Sequence, residues 1–211
     1  MLSSPSDDAK FCDAGAKRGL QGRMPRELAV IFIRSMLGSA FDLGEEIRLR
    51  TINFKLYGPM WARYDLSALD LNFTNWSTIK YLNDDGTEFH RDIELLPNDK
   101  GGLYMFSINC PVIPGRTEFP AYIGRAKITE GQNLRKRCRE YLTKFSREDE
   151  RPKITTLFKY WSKELWLSFM PLEDNDLIVD YEKKLINSLL LPFNDEIPDI
   201  EIRAAVKAFQ I

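Results

Sequence analysis

A single glutamate stands where a helix should be greasy. In DYEKKLINSLL, residues 180–190, a helix drawn at about 100° per residue puts Ile178, Glu182, Leu185, Ile186 and Leu189 on one side. Lys183, Lys184 and Asn187 fall on the other. An ionised carboxylate left unpaired among apolar side chains is costly or protonates. Glu182 therefore calls for something to satisfy it, an internal partner such as Arg137 or a lysine being the plain answer. Arg137 lies in NLRKRCREYLTKF, at the edge of the stripe Leu134, Cys138, Tyr141, Leu142 and Phe145. From there it can reach inward, and its planar fork suits a phosphate. Tyr104 and Tyr122 lie in alternating apolar segments. An isolated strand tyrosine is ordinarily a core or sheet-surface aromatic. With a pKa near ~10 it is a poor base unless an arginine or metal stabilises its phenolate.

The elements that would carry these residues follow from periodicity. LYMFSINC (103–110) predicts a strand with Tyr104, Phe106, Ile108 and Cys110 on one face. FPAYIG (119–124) predicts a second strand, paired with the first as an antiparallel hairpin. Thr129 and Gln132 read as a capping box for the helix carrying Arg137. KITTLFKYW predicts a short helix and ELWLSFMPL (164–172) a third strand. Asp176 is the expected cap of the Glu182 helix, which Pro192 terminates, and Pro198 opens a last helix. Upstream, residues 1–24 are expected to be loosely held, and Pro25 to open a helix running to about residue 43. EIRLRTINFKLYG (46–58) reads as a strand with a bulge near Thr51 and Ile52, and residues 80–95 as a hairpin turning at Asp85-Gly86. His90 is read as a polar strand residue. The loop PNDKGG (97–102) divides a region 1–100 from a domain 101–211.

Composition narrows the function classes. The chain has 211 residues, 44% hydrophobic and 29% charged, as a globular protein does. Its longest compact apolar run, LAVIFI, is too short to span a membrane, and MLSSPSDDAK lacks the pattern of a secretory signal. Cys12, Cys110 and Cys138 have no metal-type spacing and read as free thiols of a reducing, cytoplasmic compartment. One histidine leaves little room for a histidine-rich metal site or a Ser-His-Asp relay. The net charge of −1 hides ten basic residues against five acidic ones between Arg125 and Lys153. That segment could face phosphates, or be a solvated helix face.

GLY at 102–104, YIG at 122–124, the following RAK, the run NLRKRCREYL and finally EKKLINSLLLPFN together resemble the GIY-YIG nuclease family, in particular the nuclease module of the excision-repair incision enzyme. The resemblance covers residues 101–195. It departs from the pattern in GLY for GIY and in ITEGQ, which lengthens the loop before the helix. It implies an α+β fold, a small antiparallel three-stranded sheet flanked by helices, with a mixed α/β extension before it. It also implies a metal-dependent endonuclease acting on DNA. Tyr104, Tyr122, Arg137 and Glu182 would be catalytic, Tyr104 positioning or deprotonating the attacking water. Arg125, Tyr141 and Asn194 would hold the substrate side of the site. Glu182 would be the protein's carboxylate ligand to Mg²⁺ or Mn²⁺, with no nucleotide cofactor and no membrane. Asn194 is expected to fix the end of its helix by hydrogen bonding. Residues 1–100 would supply target recognition or oligomer contacts, a homodimer among them, with Arg48, Arg50 and Lys55 near a strand. Two alternatives stay open: a DNA-binding or scaffolding module that does not cut, and an RNA nuclease.

Overall fold

The computed structural model describes residues 40–113 and 115–208, so the expectations for the N-terminal segment, for Cys12 and for the start of the helix at Pro25 lie outside the described residues. These residues fall into two units, divided after Arg50. In the first, α1 (Ala40–Arg50) is a helix with no buried residue. It replaces the first part of the strand expected at 46–58. The reason is local: Arg50 pairs with Glu46 at 2.9 Å and Arg48 with Glu45 at 3.4 Å, spacings that meet on a helix and not on a strand.

The second unit begins at Thr51 rather than at the expected boundary near residue 100. Residues 51–57 belong to no helix or strand. Ile52 and Phe54 are half-buried between exposed neighbours, and the Phe54 ring lies 6.0 Å from that of Phe119. The alternation at this point thus marks an extended segment resting on side chains, with no ladder and no bulge. There follow α2 (Gly58–Trp61), β1 (Ser77–Lys80), β2 (Gly101–Asn109), β3 (Glu118–Ala126), α3 (Leu134–Ser146), α4 (Pro152–Trp161), β4 (Leu165–Leu172), α5 (Asn175–Leu189) and α6 (Ile200–Ala208). The fold is α+β: a four-stranded antiparallel sheet in the order β1-β4-β2-β3, with six α-helices among the described residues.

The expected three strands are β2, β3 and β4. The fourth, β1, lies just ahead of the segment read as a hairpin, shares only Lys80 with it, and pairs with β4, Ile79 opposite Leu167. The expected turn at Asp85-Gly86 is present: Leu82 bridges Phe89, the Asn83 N–H donates to the Glu88 carbonyl at 2.9 Å and the His90 N–H to the Tyr81 carbonyl at 3.1 Å. His90 accordingly stands at the head of a short 3₁₀ turn, its Nδ1 accepting from the Asp92 N–H at 3.3 Å. Two caps differ as well. Asn133, not Thr129, caps α3 by accepting from the Lys136 N–H, and Asp174, not Asp176, caps α5.

The sheet has two unlike faces. Tyr104, Phe106, Ile108 and Tyr122 point into a core shared with Leu134, Cys138 and Tyr141 of α3 and with Leu157 and Phe158 of α4. Leu103 and Ile123, on the opposite face, pack beneath Ile178, Tyr181, Leu185 and Ile186 of α5. Register is kept by pairing Tyr104 with Gly124 and Phe106 with Tyr122, with a bulge just beyond. Asn187, expected on the wet side of α5, is buried, because its Oδ1 accepts from the Asp199 N–H where the chain turns into α6. Cys110 and Cys138 are free thiols. No helix of the described residues is long and apolar enough to cross a membrane.

Candidate functional site

β2 and β3 deliver Tyr104 and Tyr122 to the same face of the sheet, and α3 brings Tyr141 down upon them. The hydroxyls of Tyr104 and Tyr141 are 2.7 Å apart, and that of Tyr141 donates to Tyr122 at 3.0 Å. A phenol has one proton to give, so the chain runs from Tyr104 to Tyr141 to Tyr122. At its end the Tyr122 oxygen also accepts from Arg151 Nη2 at 3.4 Å. The proton of Tyr122 finds no acceptor among the described residues. Tyr122 is thus the member of the trio free to act on something else.

Burial decides what the other two can do. All three phenols are buried, Tyr104 wholly, Tyr141 nearly so and Tyr122 down to 5% exposure. Burial first, and then the neighbouring phenols, push the Tyr104 hydroxyl well above the ordinary tyrosine range, although Arg137 pulls the other way. Burial does the same to Tyr141. Both stay protonated at neutral pH, as hydrogen-bond donors rather than bases.

Two arginines flank the trio. Arg137 lies with its guanidinium carbon 5.4 Å from the centre of the Tyr141 ring and donates to Glu140 at 2.9 Å. Arg151, not singled out by sequence reasoning, stacks 5.5 Å from the Tyr122 ring centre and pairs with Asp195 at 3.0 Å. The signal that could have found it is Arg-Pro: Pro152 opens α4 and confines Arg151 to extended backbone at the helix's N-terminus.

Asn194 holds the strand beneath Tyr122. Its Oδ1 accepts from the Ile123 N–H at 3.1 Å and its Nδ2 donates to the Ile123 carbonyl at 2.8 Å. The Phe193 N–H reaches the Ala121 carbonyl at 3.1 Å. Residues 193 and 194 thus line the outer edge of β3, and the side chain of Asn194 ties down that strand rather than, as expected, the end of its own helix.

Glu182 and Arg125 form a separate pair. Arg125 follows Gly124 on β3, so its side chain leaves the sheet on the α5 face, and there its Nη1 pairs with Glu182 Oε2. The cation beside this half-buried acid is therefore Arg125, not Arg137 or a lysine. The pair stands behind the strand that bears Tyr122, across the sheet from the phenols. Among the described residues no three His, Cys, Asp or Glu side chains converge as a metal cage. Glu182 is a lone carboxylate donor, which fits a hard cation that keeps most of its waters, as Mg²⁺ does and a fully protein-ligated ion does not. Such an ion would take the place of Arg125 at the carboxylate. No family model, no curated protein and no solved structure matches this chain.

Proposed function

We propose that this protein is a metal-dependent endonuclease that hydrolyses phosphodiester bonds in DNA, built as the GIY-YIG resemblance implies. The observation that carries the reading is the chain of three phenols ending at Tyr122 between Arg137 and Arg151. Hydroxyl donors and guanidinium forks on a dry aromatic floor suit an oxygen-rich anion that gains charge as it reacts. Tyr122, with its proton uncommitted, is better suited than Tyr104 to orient the attacking water. Water adds to phosphorus and gives up a proton to solvent, the bond to the leaving oxygen breaks, and that oxygen takes a proton from solvent. Arg137 and Arg151 offset charge on the non-bridging oxygens. Glu182 would hold Mg²⁺ or Mn²⁺, which supplies charge neutralisation for the leaving oxygen. On this reading the scissile group lies beside β3, the edge strand that carries both Tyr122 and Arg125. Tyr104 and Tyr141 position Tyr122, Asn194 positions its strand, and Arg125 releases Glu182 and turns to the substrate.

A specific observation favours a second reading. Glu182 is already neutralised by Arg125 and stands across the sheet from the phenols, as suits a phosphate-binding module that does not cut. Supercoiled plasmid incubated with and without Mg²⁺ separates the two. Nicking or linearisation that requires the metal, and is lost in Glu182→Ala and in Tyr122→Phe, supports the nuclease. Plasmid left intact by a wild-type protein that still binds it favours the module. Single-stranded RNA, duplex DNA and branched DNA in parallel reactions distinguish an RNA nuclease.

A further inference from the structure

Next to Asn194 the surface opens into a cavity of about 480 Å³, walled by the segment after α5, by α6 and by Lys55. Four cations line it: Lys55, Lys153, Arg203 and Lys207. Lys55, Arg203 and Lys207 form no ion pair with a described acid. Lys153 Nζ donates to the Asn194 carbonyl at 2.6 Å, so its charge meets a dipole rather than a carboxylate. Of the acids on the wall, Asp195 is engaged by Arg151, which leaves Glu196. Burial, outweighing the opposing pull of the Asp195 carboxylate and aided to a lesser degree by Lys55, holds the Lys153 ammonium below the usual lysine range. Like charges converging on one hollow repel until an anion enters.

The cavity shares its wall with the phenol site. Asn194 gives its carbonyl to Lys153 and its side chain to Ile123, beside Tyr122. Asp195 pairs with Arg151, which donates to Tyr122. A strand whose phosphate lay against Tyr122 would bring a neighbouring phosphate near this hollow. The other basic surface, the outer side of α3, is differently built. Arg135 and Arg139 are both held by Glu94, at 2.9 and 2.6 Å, and Lys136 by the Gly131 carbonyl. Lys144 and Arg147 on that side form no ion pair with a described acid, but the hollow they line includes none of Tyr122, Arg151 and Asn194.

We infer that the cavity lined by Lys55, Lys153, Arg203 and Lys207 is a second anion site, which takes a backbone phosphate of the nucleic-acid strand bound at Tyr122. The inference rests on the nuclease reading for its ligand, but its test does not depend on cleavage. Binding of a short fluorescein-labelled DNA duplex is measured by anisotropy in EDTA over a salt series. Three proteins are compared: wild type, Lys55→Glu/Arg203→Glu in the cavity and Lys144→Glu/Arg147→Glu on α3. Thermal melting checks that all three fold. Loss of the cavity contact is expected to weaken binding about tenfold and to flatten the log K against log salt slope by about one, the value for one phosphate. The α3 variant should bind within about twofold of wild type, as expected for charges outside the contact surface. Unchanged affinity and slope in the cavity variant overturn the inference, as does a loss confined to the α3 variant. Inorganic phosphate that binds wild type but not the cavity variant, with duplex affinity equal in both, marks a small-anion site and overturns it too. A wild type that binds the duplex but never cuts with Mg²⁺ refutes the hydrolytic reading alone. A cavity variant that binds and cuts like wild type refutes the second site alone.

Discussion

The ring of Tyr104 lies directly over Gly124: a β-carbon at Gly124 would sit 2.7 Å from both Cζ and Oη of that phenol. The two residues face each other across the β2–β3 ladder, and the Tyr104 hydroxyl is pinned by Tyr141. The ring cannot swing aside without breaking the phenol chain, so the last glycine of YIG is explained by space.

Gly124→Ala should therefore destabilise the protein by about 1–3 kcal/mol, the usual cost of overpacking a tight core. Thermal or urea denaturation reads this directly. If the melting temperature is unchanged, Tyr104 is not held where its hydrogen bond to Tyr141 puts it. Plasmid cleavage should fall further than stability, because a displaced Tyr104 no longer supports Tyr122 through Tyr141.

The buried phenols make stability fall in alkali. Tyr81, Tyr104 and Tyr141 all have hydroxyls raised well above the ordinary value of 10.0, with burial the leading cause in each. In the unfolded chain they ionise near that value, while in the folded protein they keep their protons. The unfolded state alone is thus favoured as pH rises, so the stability these groups carry is complete below about pH 10 and is lost above it. Absorbance at 295 nm should show a reversible phase from exposed tyrosines and then a step coincident with loss of the far-ultraviolet signal. A smooth titration of all eight tyrosines with the fold intact would contradict the buried network.

Arg125 should compete with a cation for Glu182. In Arg125→Ala the carboxylate loses its partner, and Mn²⁺ binding followed by electron paramagnetic resonance should tighten by about fivefold, roughly 1 kcal/mol for a partly exposed ion pair. Glu182→Ala should abolish the same binding. Equal Mn²⁺ affinity in wild type and both variants would mean that Glu182 holds only the arginine.

The Tyr122–Arg151 contact spans 29 residues and shows what periodicity cannot reach. β2, β3, β4, α3, α4 and α5 lie within a residue or two of their expected positions, because alternation and the 3.6-residue repeat are local. Local signals mislead where two periods compete, as at 46–58, where ion pairs at helical spacing outweigh an alternating pattern. They also mislead at the caps, where Thr129 and Asn133, or Asp174 and Asp176, are each chemically able and only the path of the chain chooses between them. No strand is legible in the sequence at β1, because its partner β4 lies far along the chain, as in Thr78 opposite Ser168.

The candidate site divides along the same line. That Glu182 needs a cation and that Arg137 can reach inward from its helix follow from residue type and phase alone, since burying charge has a cost wherever it occurs. Which cation, and on which face of the sheet, is set by strand alternation in three dimensions. Gly124 points toward the phenols and Arg125, one residue on, points away, so the acid is neutralised behind the strand that presents Tyr122. Arg151 enters the site only because α3 and α4 pack together over β3. Contacts of that kind depend on how elements are stacked, a property that no short window of sequence contains.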